Sequence, residues 1–263
     1  MLTQIISIAK AAGTIILSYY DNPTELSKKE GGSSLTEADL KANEFIVNKL
    51  SEHYREIPTI SEEAEMIPYE KRKNWERFWL VDPLDGTAEF LERNGEFTVN
   101  IALIENGEPI IGVIYAPAKS LLYYAEKNKG AWKQENDQAP IRIFSREPNP
   151  TGKLTVVASR RHGSAELETF LENYDVQGTV SAGSSIKFCM MAEGKADLYP
   201  RLGPTMEWDV AAGDCIYRNS APQGFRSTTL KYNKPDLRNT HFVIGLTTDT
   251  IFKGALKDKG VKK

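Results

Sequence analysis

The sequence predicts an α+β first half and an α/β second half packed together as layers, on three observations. Short apolar runs separated by turn residues fill the stretch from Phe97 to Gln134, the pattern of an antiparallel meander. From residue 153 onward, strand-like runs alternate with helix-like ones. Between the two lies EPNPTG, residues 147–152, Pro-rich and polar, which places the halves at residues 1–148 and 149–263.

The elements follow in order. Ile5, Ile8, Ala12, Ile15 and Tyr19 recur at helical spacing, so the chain opens with an amphipathic helix reaching about Tyr20. That segment lacks a basic start and Lys10 interrupts its apolar run, which argues against a signal peptide. No uncharged stretch reaches transmembrane length. After the polar loop DNPTELSKKEGGSS, a second helix begins near Thr36. Thr36 and Asp39 stand three apart as in a capping box, and Leu40, Phe45, Ile46 and Leu50 mark its buried face. EIPTIS is a short strand running into Glu62 and Glu63, and RFWLV a strand ending in DPLDGT, with the helix TAEFLER behind it. The runs FTVNIALI, PIIGVIYAP, LLYYAEK and GAWKQ form the meander, with Glu105-Asn106-Gly107 as its first turn. In the second half KLTVVAS precedes AELETFLENY, GTVSAG precedes SIKFCMMAEG, and ADLYP precedes WDVAAGDCIYR. No internal repeat or low-complexity segment is present, and KDKGVKK is a solvated end.

Composition narrows the function classes. In 263 residues, 40% hydrophobic and 26% charged is an ordinary globular balance, which excludes collagen-like, disordered and disulfide-scaffold chains. A net charge of −3 excludes a strongly basic nucleic-acid binder. A phosphorylated ligand would therefore need a local cation patch or a metal. Cys189 and Cys215 form no CxxC pair and read as small core residues of a reduced, cytoplasmic protein. The apolar first helix leaves loose association with the inner face of the cell membrane open. His53, His162 and His241 show no zinc-ligand spacing. The phosphate loop, the dinucleotide fingerprint and the nucleophile elbow are all missing.

Carboxylates remain. In Asp82-Pro83-Leu84-Asp85-Gly86-Thr87 a strand delivers the first acid, Pro83 breaks the ladder, and Gly86 permits a tight turn. Asp85 can then come round to the side of Asp82. Two carboxylates so close repel unless a cation lies between them, and a hard divalent ion such as magnesium suits oxygen ligands. Alone, this spacing is better explained by a turn whose aspartates cap the following helix. Glu62-Glu63 at a strand end and Asp209 at a helix start are each equally ordinary. Together the three groups are far more specific.

SEE (61–63), WLVDPLDGT (79–87) and WDVAAG (208–213) resemble the lithium-sensitive, magnesium-dependent phosphatase superfamily of inositol monophosphatase. Within it, DPLDGTAEFLERNGEFTVNIALIENG, GSSIKFCMMAEGKADLYPRLGPTMEWD and LKYNKPDLRN are similar to the bacterial 3′(2′),5′-bisphosphate nucleotidases. The resemblance implies a layered αβαβα sandwich. It implies a first magnesium on Glu62, Asp82 and the Leu84 carbonyl, a second on Asp82, Asp85 and Asp209, and a weaker third near Glu62. Asp39 and Thr87 would orient the attacking water. Glu62, Asp85, Gly86, Thr87 and Asp209 would line the substrate site. Gly183 and Ser184 precede a helix whose first amides could receive an anion. Lys187 and Arg201 could contact a second phosphate, and Ser159-Arg160-Arg161-His162 could face the same cleft. The expected reaction is hydrolysis of the 3′-phosphate of adenosine 3′,5′-bisphosphate, with the sulfated form as a further substrate. An inositol or sugar monophosphatase with the same cluster is the alternative within the enzymes. A non-catalytic protein whose acids hold structural calcium is the alternative outside them.

Overall fold

The computed structural model describes residues 1–20, 26–28, 34–146, 153–159, 165–222 and 228–245. The chain opens with α1 (Leu2–Tyr20), the short antiparallel pair β1 (Leu26–Lys28) and β2 (Ser34–Thr36), and α2 (Glu37–His53). Then follow β3 (Thr59–Ser61), the single turn α3 (Tyr69–Arg72), β4 (Arg77–Asp85) and α4 (Thr87–Leu91). The meander is β5 (Thr98–Glu105), β6 (Glu108–Ala116), β7 (Leu121–Glu126), β8 (Gly130–Glu135) and β9 (Ile141–Ile143). The second half contains β10 (Leu154–Ser159), α5 (Ala165–Leu171), β11 (Val176–Ala182), α6 (Ile186–Ala192) and β12 (Tyr199–Arg201). It ends with β13 (Thr205–Met206), α7 (Glu207–Asn219), β14 (Arg238–Asn239) and β15 (Phe242–Ile244).

Seven strands form one sheet in sequence order, β3 to β9, antiparallel throughout except where β3 runs parallel to β4. The turn between β5 and β6 has two residues, Asn106 and Gly107, both at positive φ as a tight right-twisted hairpin requires. The two faces of this sheet carry separate cores because side chains alternate along each strand. Val99, Ile101 and Leu103 pack with Ile5, Ile8, Ile16, Ile46 and Leu50 of α1 and α2. Ala102 and Ile104 pack with Phe188, Cys189, Ile216 and Tyr217 of α6 and α7. Beyond those helices β10 and β11 pair in parallel, β12 pairs with β15, and α5 covers Leu154 and Val156 through Phe170 and Leu171. The result is the expected five-layer αβαβα order. The expected boundary between the halves falls at residues 147–152, outside the described residues, as does the run Arg160-Arg161-His162.

Two expectations need adjustment. Leu40 is 44% exposed, and Ala38 and Ala42 take the core face of α2 instead, alongside Ile46 and Leu50. The capping box turns the first helical turn so that Asp39, not Leu40, points inward. Lys10 does not end the apolar character of α1, which by length and composition alone could cross a membrane. Its Nζ reaches Gln134 Oε1 at 3.0 Å, so the charge leaves along the helix side while Ile5, Ile8, Ala9, Ala12 and Ile16 stay buried. Cys189 and Cys215 are both buried and free, as the sequence suggests.

Candidate active site

The site is built at the end of β4. The ladder with β5 pairs Asp82 with Asn100 and Asp85 with Thr98, so Pro83 and Leu84 together oppose only Val99. This bulge, which proline's missing N–H favours, brings Asp85 round beside Asp82. Gly86 then takes φ +88°, a left-handed conformation that L side chains rarely adopt, and Thr87 starts α4. Asp39 and Asp209 arrive from elsewhere, each as the third residue of its helix, α2 and α7.

One rule governs the four aspartates. Each has an oxygen held by the protein's own donors. Asp39 Oδ2 accepts the Thr36 amide at 2.8 Å and the Thr36 hydroxyl. Asp209 Oδ2 accepts the Met206 amide at 2.8 Å. Asp82 Oδ1 accepts the Leu84 amide at 3.1 Å. Asp85 Oδ2 accepts Ser184 Oγ at 2.6 Å, the Ser185 amide at 2.7 Å and Asn100 Nδ2 at 3.3 Å. Helix-cap and turn hydrogen bonds thus fix the orientation of all four carboxylates. Thr87 Oγ1 donates to Asp39 Oδ1 at 3.3 Å.

Glu62, Asp82 and Asp209 each offer a carboxylate oxygen, and these lie within 4.8 Å of one another. Burial raises the Asp82 carboxyl well above its usual range, and Glu62, Asp85 and Asp209 push it further the same way. Asp209 is raised by burial and then by Asp85. Asp85 is raised by burial, against which Ser184, Lys187 and Asn100 stabilise its charge. Several buried acids so close are costly to ionise without a counter-charge. An all-oxygen set of this kind fits a hard divalent cation, which would return the cluster to its ionised form.

Above the acids opens a cleft of about 440 Å³, lined on one side by Glu62, Asp85, Thr87 and Asp209. Gly183, Ser184, Lys187, Tyr199, Arg201 and Ser159 contribute to its other walls. The substrate residues expected from the sequence therefore meet at one place, though some are differently engaged. The Ser185 amide and the Ser184 hydroxyl serve Asp85, so the start of α6 is already occupied by a carboxylate. Lys187 is 6% exposed and donates to the carbonyls of Ala182 at 3.2 Å and Ser184 at 2.6 Å, its pKa lowered to about 8 by burial. Arg201 Nη2 donates to Pro204 O at 3.1 Å, while its buried Nε has no hydrogen-bond partner among the described residues. Glu207 pairs with Lys234 at 2.6 Å.

Sequence reasoning missed Thr98 and Asn100, both fully buried beside the aspartates, and Glu89 and Glu96 near the 183–185 turn. Two polar residues in the otherwise apolar run TVNIALI were the available signal.

A mixed sheet between helical layers, with an acidic cluster at the bulged end of one strand, defines the class. The chain belongs to the inositol monophosphatase family, whose profile matches residues 1–249. It is 47% identical over 218 residues to the 3′(2′),5′-bisphosphate nucleotidase CysQ of Salmonella typhimurium, covering 82% of this chain and 86% of that one. The Escherichia coli K12 protein of the same name is 46% identical over the same shares. The crystal structure of CysQ from Bacteroides thetaiotaomicron superposes with a TM-score of 0.77 at 41% identity, covering 92% of this chain and 95% of that one. The inositol monophosphate-bound SaIMPase-II, at 19% identity and a TM-score of 0.72, shares the fold.

Proposed function

We propose that this chain is a magnesium-dependent 3′(2′),5′-bisphosphate nucleotidase. It hydrolyses the 3′-phosphate of adenosine 3′,5′-bisphosphate to leave AMP and phosphate, and it takes the 5′-phosphosulfate analogue as a further substrate. The observation that carries the chemistry is the convergence of Glu62, Asp82 and Asp209 beside the Thr87–Asp39 pair. The nucleotide follows from relatives of that name at 46–47% identity over most of the chain.

Glu62, Asp82 and the Leu84 carbonyl would hold one magnesium, and Asp82, Asp85 and Asp209 a second, with a weaker third near Glu62. When bound, the ions supply charge neutralisation of the phosphate, a more acidic water and stabilisation of the leaving oxygen. The chain's residues do the rest. The Thr87 hydroxyl is closer to Asp39 Oδ1 than to its other acceptor, the Leu84 carbonyl, and it lines the cleft, where its oxygen can accept a hydrogen bond from water. That fixes the direction of the water's own lone pair. As the water oxygen bonds to phosphorus, its proton passes to Thr87 and the proton of Thr87 to Asp39, while the 3′-oxygen leaves with the electron pair of the broken P–O bond and takes a proton from solvent. Asp39 is fully buried and anchored through its other oxygen by Thr36, so it loses little orientation in doing so. On the far wall Arg201 lines the cleft, and its guanidinium charge is suited to the second phosphate of the nucleotide. Lys187 acts mainly by adding positive charge behind Asp85 and by bracing the 183–185 turn. Two free, buried thiols are in keeping with a reducing cytoplasm.

A panel of phosphomonoesters with magnesium tests the reading. Adenosine 3′,5′-bisphosphate should be the preferred substrate by kcat/KM. A preference for inositol 1-phosphate would hand the site to the inositol monophosphatase reading.

A further inference from the structure

β5 is apolar except at Thr98 and Asn100, and both are fully buried. They lie on the same face as Ala102 and Ile104, which pack under α6 and α7. A buried side-chain amide on such a face is destabilising wherever a hydrogen bond is unmade, so its partners say why it is there. Asn100 stands opposite Asp82 in the ladder, and Thr98 opposite Asp85. Asn100 Oδ1 meets Ser185 Oγ at 2.8 Å and Thr98 Oγ1 at 3.0 Å. With the carbonyl end so held, Nδ2 is directed to Asp85 Oδ2 at 3.3 Å. Thr98 Oγ1 also contacts the hydroxyls of Ser184 and Ser185, at 2.8 Å for the latter. The 183–185 turn is braced from outside by Glu96, which accepts the Gly183 amide at 2.8 Å.

Among the described residues, the three donors to Asp85 therefore fall on Oδ2, two of them from that turn and one from β5. The turn itself is pinned to β5 through Asn100 and Thr98. Resting on the reading that Asp85 faces a cation, we propose that Asn100 is a positioning residue. It locks the Asp85 carboxylate with Oδ2 inward and only Oδ1 presented to the metal, and it ties the substrate-side turn to the metal-bearing strand. Asn100 touches neither substrate nor metal; it acts through Asp85.

The test is a titration of the chelator-stripped full chain with Mn²⁺ alone, read by electron paramagnetic resonance of the free ion. Asn100→Leu keeps the side-chain size and deletes the amide. Partners that orient a metal ligand typically change affinity by about 10–100-fold, and a loss in that range is expected here. Thr98→Val, nearly isosteric, should lose roughly threefold by loosening Asn100, a small share of the same effect. In an Asp85→Asn background, Asn100→Leu should have almost no further effect, because the ligand it positions is gone. The proposal is overturned by unchanged Mn²⁺ affinity in folded Asn100→Leu. It is equally overturned by a loss of the same size with and without Asp85, which would mean a general structural role. If Asn100→Leu does not fold, Thr98→Val alone decides, and wild-type affinity in it counts against the proposal. An unaltered chain that binds no Mn²⁺ removes the metal reading itself, and this proposal with it.

Discussion

Thr87 Oγ1 donates to Asp39 Oδ1 across 3.3 Å, joining the first turn of α4 to the first turn of α2. The two residues are 48 apart in sequence, and each sits where a helix begins. A cap residue and a helix-start threonine are commonplace singly; their contact beside three converging carboxylates is what gives them a chemical use.

Replacing Thr87 by Val keeps the volume and deletes the hydroxyl. Turnover should fall by about 10²-fold or more, the usual loss when a group that orients the proton-donating partner is removed. Magnesium affinity, measured separately by calorimetry, should change little. An equal loss in both would make Thr87 a ligand or a structural cap instead.

Asp82 is buried, and its carboxyl is pushed well above the ordinary 3.8 by burial and by its neighbours. A folded pKa above the unfolded one stabilises the metal-free protein fully below the unfolded value, and that contribution is lost as pH rises through the folded value. Asp82→Asn carries no such charge. Its melting temperature without metal should therefore exceed that of wild type by a margin that widens as pH rises above the ordinary 3.8. With saturating magnesium the order should reverse, because wild type alone gains the full binding energy. A margin that narrows with pH would contradict the assigned burial cost.

Arg201→Glu should weaken hydrolysis of adenosine 3′,5′-bisphosphate far more than hydrolysis of inositol 1-phosphate, since a positive charge there favours a second phosphate and does nothing for a neutral ring. The readout is kcat/KM for both substrates. An unchanged ratio would show that Arg201 does not read the second phosphate.

The contact of α7 with the large sheet has its own test. A Cβ on Gly112 of β6 would lie 2.5 Å from Ala212 O and 2.7 Å from Cys215 Cβ, so the helix must move away. Gly112→Ala should cost about 1–3 kcal/mol, a drop of roughly 2–4 °C in Tm for each. A wild-type Tm would mean that α7 packs less closely than it does here.

The elements were legible because their signals are local. The Ile5–Ile8–Ala12 spacing, the Thr36–Asp39 cap and the Asn106-Gly107 turn need nothing beyond their own neighbours. Leu40 was misplaced because the rotation of a helix about its axis is set by its cap, and a cap that buries its own Asp39 turns the next residue outward. The acids of the cluster could be found because each ends a strand or starts a helix. What holds them could not. Thr98 and Asn100 read as faults in a strand until the ladder sets them opposite Asp85 and Asp82, and no spacing in the sequence relates them to Ser184 and Ser185 about 86 residues on. The engagement of the Ser185 amide by Asp85 likewise depends on long-range packing.

The most direct test follows the products of adenosine 3′,5′-bisphosphate by phosphorus nuclear magnetic resonance, using wild type and Asp82→Asn with magnesium and with chelator. The account predicts that wild type with magnesium yields 5′-AMP and inorganic phosphate in equal amounts, and that chelator or Asp82→Asn abolishes nearly all of it. Release of the 5′-phosphate to leave 3′-AMP, or undiminished turnover in chelator or in Asp82→Asn, would contradict it.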